Sequence, residues 1–120
     1  MTSSRFPRWV FAEGDEPDPR FTLANERTFL AWIRTALALV AGGVALEALA
    51  VPIQPACRAC AATLLLVLGG GLPLVAWRDW AVTERALRRR RPLPASLVTL
   101  PLAVGVSATA ALVLVGYLLR

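Results

Sequence analysis

The chain has 120 residues, enough for one domain, and 57% of them are hydrophobic, with a mean hydropathy of +0.59. Small soluble domains leave much of their surface in water, so this composition excludes an ordinary soluble fold and points to a bilayer. The formal charge is +5, and all thirteen basic residues are arginine; without lysine or histidine, the usual general base and the commonest metal ligand are missing.

Residues 1–17 read as a flexible cytoplasmic tail. Within it Arg5, Phe6, Arg8, Trp9, Val10 and Phe11 mix charge with aromatics and predict an interfacial contact over Phe6 to Phe11. The run Glu13-Gly14-Asp15-Glu16-Pro17 is acidic and turn-prone. The first apolar run starts too late, after too many charges, for a cleavable signal peptide.

Residues 18–120 read as a membrane domain. Asp18-Pro19 is a helix-start signal, because Asp caps and Pro suits the first helical position. A helix runs from there through Ala50, and its apolar part, residues 29–51, is long enough to cross, since about 20 residues span the hydrocarbon core. Val51-Pro52-Ile53-Gln54-Pro55 ends it with two prolines. Cys57 and Cys60 fall where the second span begins. They read as small apolar residues at a helix start, with a redox pair or disulfide as the alternative; two thiols supply only part of a structural zinc site.

The second span covers about 59–77. Its Gly69-Gly70-Gly71 and Pro73 predict a bend or local loosening, and Trp77 and Trp80 suit the headgroup region. A short basic loop follows, in which Glu84 and Arg88 read as a solvated surface pair and Arg88, Arg89, Arg90 and Arg91 as contacts for anionic lipid headgroups. The third span covers about 97–119. The second and third spans have almost no polar face, which a soluble helical bundle would need. The expected fold class is therefore all-α and integral to the membrane, with three transmembrane helices.

Arginine sets the expected orientation. Arg5, Arg8, Arg20, Arg27, Arg34, Arg78, Arg85 and Arg88 to Arg91 fall on one side, while Arg58 and Arg120 fall on the other. Positive charge stays cytoplasmic, which predicts the N-terminus inside and the C-terminus outside. Because the arginines flank apolar spans, topology explains them, and nucleic acid is not an expected partner.

The stretch Asp18 to Leu37 carries polar residues into the first span. Arg34 lies about five residues inside the apolar run, roughly 8 Å below its edge. Arg20, Arg27 and Arg34 are seven residues apart, so they share nearly one face of a continuous helix. Glu26 has no basic residue three or four positions on, and a carboxylate at this depth wants a partner, such as Arg78, Arg85 or an arginine of a neighbouring subunit. The arginines either snorkel to the interface as topology flanks or face an interior where they meet Glu26 or an anion. Glu47, near the far end of the same helix, is placed to reach the interface or pair with Arg58. Ala38, Gly42 and Ala45 in the first span, and Gly105 and Thr109 in the third, are small residues that allow close helix contact.

The run Ala24-Asn25-Glu26-Arg27-Thr28-Phe29-Leu30-Ala31-Trp32-Ile33-Arg34-Thr35 resembles the opening motif of the YidH-like family, a domain of unknown function. That family in turn resembles the small membrane subunit of the eukaryotic vacuolar transporter chaperone complex. The resemblance implies a small bacterial inner-membrane protein. It implies anion-facing roles for Arg27 and Arg34, more loosely for Arg20, and a pairing role for Glu26. Asn25, Thr28, Trp32 and Thr35 complete the motif. The sequence departs from the chaperone complex in carrying no soluble polymerase or sensor domain, so polyphosphate chemistry would need a partner.

Two functions follow as expectations. The first is an oligomeric module in which first helices from several copies line a basic, anion-attracting path, with a polyanion such as polyphosphate as its partner. The second is a structural or accessory subunit that uses the same charges to dock a partner protein in a larger membrane complex. No nucleophile–base pair or metal set is visible, so neither catalysis nor a cofactor is expected.

Overall fold

The computed structural model describes residues 7–12, 14, 16–93 and 95–120. Phe6, Glu13 and Asp15, part of the expected tail contact and acidic run, lie outside the described residues. The helices are α1 (Arg8–Phe11), α2 (Pro19–Ala48), α3 (Pro55–Arg88) and α4 (Thr99–Leu118), and no strand forms among the described residues. Helices α2, α3 and α4 are each long and apolar enough to cross a membrane, as the sequence predicts.

The start of α2 follows its local chemistry. The Asp18 carboxylate accepts the Arg20 backbone N–H at 2.9 Å, and Pro19 occupies the first helical position. The Arg20 guanidinium folds back onto the same carboxylate at 2.9 Å and holds its pKa below the usual aspartate value. At the other end, Ala50 adopts a left-handed φ of 48°, and the Val51 N–H closes the helix onto the Leu46 carbonyl. Helix α3 opens with Pro55, and the Gln54 side chain accepts from the Cys57 N–H at 2.9 Å. It ends in the same manner as α2, with Arg90 at φ 54° and the Arg91 N–H on the Ala86 carbonyl at 2.9 Å.

Two sequence expectations need correction here, the loop after residue 77 and the tail, while α3 runs as one helix through Gly69-Gly70-Gly71 and Pro73. Membrane helices tolerate proline where the freed carbonyl finds another partner, and Gly69 serves a helix contact. The expected basic loop after residue 77 is mostly helix, because α3 continues to Arg88. At 1.5 Å per residue α3 is ~51 Å long, so its arginine-rich end projects beyond a core of about 30 Å. The tail is also docked over residues 7–12. Val10 is fully buried, the Trp9 ring meets Trp77 edge-on at 6.5 Å, and Phe11 lies 6.2 Å from Trp80. Aromatic residues in the tail find aromatic residues on α3, and that contact outweighs the cost of ordering a short segment.

Helix α3 is the centre of the molecule. Helices α2 and α4 both pack on it, and no Cα of α2 comes within 8 Å of one in α4. The assembly is elongated, 63 × 24 × 20 Å. Close approach depends on glycine at two crossings. A Cβ on Gly69 would stand 2.6 Å from the Val40 Cγ2 and 2.9 Å from the Ala36 carbonyl oxygen of α2. A Cβ on Gly105 would run into the Leu68 side chain of α3. At Gly69 the missing side chain lets the two backbones meet, as in other membrane helix pairs, whereas at Gly105 it makes room for the Leu68 side chain. Of the expected small-residue positions, Gly105 and Thr109 are buried against α3 while Ala38 is exposed; Ala36 and Gly43 do that work in α2. The start of α4 is tied to α3 by Asp79, whose carboxylate accepts from Ser96 Oγ and the Leu97 N–H, each at 3.0 Å.

Candidate functional site

The site is built on α2, whose two sides are chemically different. One side faces α3. Asn25 is 9% exposed and its Nδ2 donates to the Trp80 carbonyl at 3.0 Å and to Glu84 Oε2 at 3.4 Å. Thr22 Oγ1, one turn earlier, donates to Glu84 Oε1 at 3.0 Å. Further along, Trp32 packs beside Ala36, Leu72 and Val98. These positions recur at alternating three- and four-residue steps, which keeps one face on a neighbouring helix.

Glu84 is 1% exposed, so the surface pairing expected for Glu84 and Arg88 is not what forms. The carboxylate is taken by Thr22 and Asn25 of α2 instead. Burial of a charged group requires such partners. Arg88 is 4% exposed, so it is not placed on lipid headgroups as the sequence suggested. Its Nη2 donates to the Phe11 carbonyl at 2.9 Å and to Glu16 at 3.2 Å, and its guanidinium lies 5.3 Å from the Phe11 ring centroid. Arg89 is half-buried, whereas Arg90 and Arg91 are exposed.

The other side of α2 carries the arginine stripe. Arg20, Glu26, Arg27 and Arg34 are all exposed. Counting ~100° per residue, Arg27 and Arg34 lie about 180–200° from Asn25 and so point away from α3. Arg20 is engaged with Asp18 at the helix start. Glu26, Arg27 and Arg34 make no ion pair within the chain among the described residues, and neither Arg78 nor Arg85 reaches Glu26. Thr28 and Thr35 donate to the carbonyls of Ala24 and Ala31 in their own helix, at 3.1 Å each. That back-bonding hides their hydroxyls from a partner's point of view while keeping them on the polar flank of the stripe.

Sequence reasoning pointed to α2 and missed the partnership of Thr22 with a buried Glu84. Two polar residues three apart, Thr22 and Asn25, are the signal of a buried polar partner on the facing helix. Between this network and the start of α4 lies a small cleft of about 80 Å³, lined by Asn25, Thr28, Trp32, Asp79, Trp80 and Ser96 among others. Its volume suits a few waters, not an organic substrate. At the far end of α2, Glu47 lies 3.6 Å from Arg58, the pairing the charges there predict. Cys57 and Cys60 are free thiols, and no group of three or more His, Cys, Asp or Glu gathers among the described residues.

Three apolar helices, a polar knot buried between α2 and α3, and a charged outer stripe define a small multi-pass membrane protein. Comparison with known proteins gives its family: residues 20–86 match the domain of unknown function DUF202, and the chain belongs to that family. It is 49% identical over 82 residues to "Inner membrane protein YidH" of Escherichia coli K12, covering 68% of this chain and 71% of the relative. It is 46% identical over 94 residues to "Uncharacterized protein Rv2272" of Mycobacterium tuberculosis H37Rv, covering 75% of each. No solved structure matches the chain. Its relatives and its three spans place it in the bacterial inner membrane.

Proposed function

We propose that this protein is a non-enzymatic, oligomeric membrane module in which the outer faces of α2 from several copies line a basic path that attracts anions. The observation that carries this reading is the position of Arg27 and Arg34. Both are exposed on the side of α2 away from α3, and neither has an ion pair within the chain among the described residues. Two charges carried toward the membrane without an internal partner call for an external one, and a polyanion or a carboxylate of another copy fits. Three helices that share a single central helix enclose no pore of their own, so a path requires several copies.

The distribution of arginine supports an orientation with the N-terminus in the cytoplasm and the C-terminus outside. Arg90 and Arg91, exposed at the cytoplasmic end of α3, then meet anionic headgroups. Inorganic polyphosphate is the first polyanion to try, because the motif resembles that of a polyphosphate-handling complex.

The purified chain in lipid vesicles provides the experiment. Uptake of short-chain polyphosphate or inorganic phosphate is expected, with a loss of at least several-fold on combining Arg27→Ala and Arg34→Ala. Unchanged flux in that variant, or a monomeric mass in lipid bilayers, overturns the reading. Stoichiometric co-purification of a second protein, lost on Glu26→Ala, would favour the accessory-subunit function in its place.

A further inference from the structure

A groove of about 190 Å³ runs between α3 and the start of α4, and every residue that lines it is apolar. Leu72 and Val98 are buried at its floor, the half-buried Val75 and Leu102 flank it, and Gly71 and Pro101 hollow its two walls. A Cβ added at Gly71 would meet nothing within 4 Å, so the space beside it is open. A groove without a polar side chain takes an apolar occupant. Pockets for drug-sized ligands run to about 300–1,000 Å³, so this one suits a segment of a single hydrocarbon chain.

Two contacts fix its depth in the membrane. The Asp79 carboxylate accepts the Leu97 N–H, so the end of the groove at Leu97 lies level with Asp79. Exposed Trp77 stands at the same height, and indoles favour the headgroup region. The other end of the groove is Val67, eleven residues before Arg78. That distance is ~16 Å along the helix, close to half of a hydrocarbon core of about 30 Å. The groove therefore runs from headgroup level through one leaflet.

Arg78 crowns it. At ~100° per residue it lies about 20° from Gly71 around α3, on the grooved face. It is exposed, and its side chain makes no hydrogen bond or ion pair within the chain among the described residues. The carboxylate beside it in sequence, Asp79, already accepts from Ser96 and from the Leu97 N–H. A guanidinium is a planar fork of donors that matches a phosphate. We propose that the groove binds one phospholipid of the leaflet nearest the basic end of α3. One acyl chain lies between Gly71 and Pro101, and the phosphate is held by Arg78. The site is separate from the outer face of α2 and does not depend on the path proposed there.

Photolabelling of the full-length chain in vesicles tests the site. The probe is phosphatidylglycerol with a diazirine midway along one acyl chain, added as a minor lipid, and labelled peptides are read by mass spectrometry. Label is expected on residues 67–75 and 97–102 at several-fold the level on the exposed leucines of α2. Gly71→Leu fills the hollow and Arg78→Gln removes the phosphate contact, and each is expected to lower groove labelling at least several-fold. Gly70→Leu adds the same bulk at an exposed position outside the groove and is expected to leave labelling unchanged. A diacylglycerol with the same diazirine chain has no phosphate and is expected to label the groove several-fold less. Label spread evenly over the exposed faces of the three helices is ordinary bulk lipid and overturns the site. Groove labelling indifferent to Gly71→Leu or to Arg78→Gln overturns it as well, and so does an unlabelled groove, the result if another protein helix covers it. Should the variants fail to accumulate, the unaltered chain decides: equal groove labelling by the phospholipid and the diacylglycerol overturns the proposal.

Discussion

The two faces of α2 share one helix and one period, yet they solve different problems. The face on α3 is finished: its glycine and alanine positions bring backbones together, and its polar residues are matched to Trp80 and Glu84. The outer face is unfinished in the single chain. It has exposed leucines and alanines, and its Glu26, Arg27 and Arg34 have no ion pair within the chain among the described residues. The finished face reports on stability, and the unfinished one is the face on which we propose association. The motif from Ala24 to Thr35 contains residues of both.

That contrast can be broken most violently at Gly69. Its Cβ position is already filled by Val40 and the Ala36 carbonyl, and backbone cannot move aside as a side chain can. Gly69→Val is expected to separate α2 from α3, at a cost of about 3 kcal/mol or more. Thermal unfolding in mild detergent reads it. Gly70→Ala is the control, because its Cβ position meets nothing within 4 Å. Equal damage from both would show that the crossing is looser than described.

The next effect is at the polar knot. Glu84→Ala removes the acceptor for Thr22 and Asn25 and leaves donors buried, at a cost of about 1–3 kcal/mol. Glu84→Gln retains an acceptor oxygen and should cost less. Unfolding curves for the two variants that superimpose on the parent would mean that water already serves Asn25. On the outer face the expectation reverses: Arg27→Ala with Arg34→Ala should change the stability of the single chain by about 0.5 kcal/mol or less, as for surface positions. A large loss of monomer stability there would mean that the arginines belong to the fold.

The sequence made much of this legible. Span count follows from apolar length, and the arginine stripe from a seven-residue spacing. What it hid has a common physical cause. Glu84 and Arg88 are one helical turn apart in a basic stretch, and local spacing makes such pairs look solvated. The burial of Glu84 depends on α2 arriving from 59 or more residues away in sequence, and that of Arg88 on Phe11 of α1 arriving from 77. Pro73 and the glycine run read as a bend or local loosening by local rules, which do not show that Gly69 makes room for Val40. The tail reads as a flexible segment with an interfacial contact, because no single residue of Arg8 to Phe11 shows that Trp77 and Trp80 receive it. Local chemistry was sufficient where the partner lay within one turn, as at Asp18.

Asp18 carries the smallest expected effect and marks where the two faces of α2 begin. Its carboxylate caps the helix through the Arg20 N–H and holds the Arg20 guanidinium beside it. The side-chain bond from Arg20 and then the backbone bond lower its pKa from the ordinary value of 3.8. A group with a depressed folded-state pKa adds stability at pH values above the unfolded value, and that stability is lost as pH falls through the folded one. Hydrogen exchange of the first turn, Phe21 and Thr22, should therefore be slow at neutral pH and quicken as pH drops below ~4, after correction for the intrinsic rate. Asp18→Ala should make it fast at both pH values, and Asp18→Asn should keep the cap while removing the pH dependence. Because the site is exposed, the change should stay within the first turn and leave the Asn25–Glu84 contact protected. If it spreads to Asn25 and beyond, the start of α2 and its α3-facing seam are one cooperative unit, and the boundary between the two faces lies further into the helix than the cap suggests.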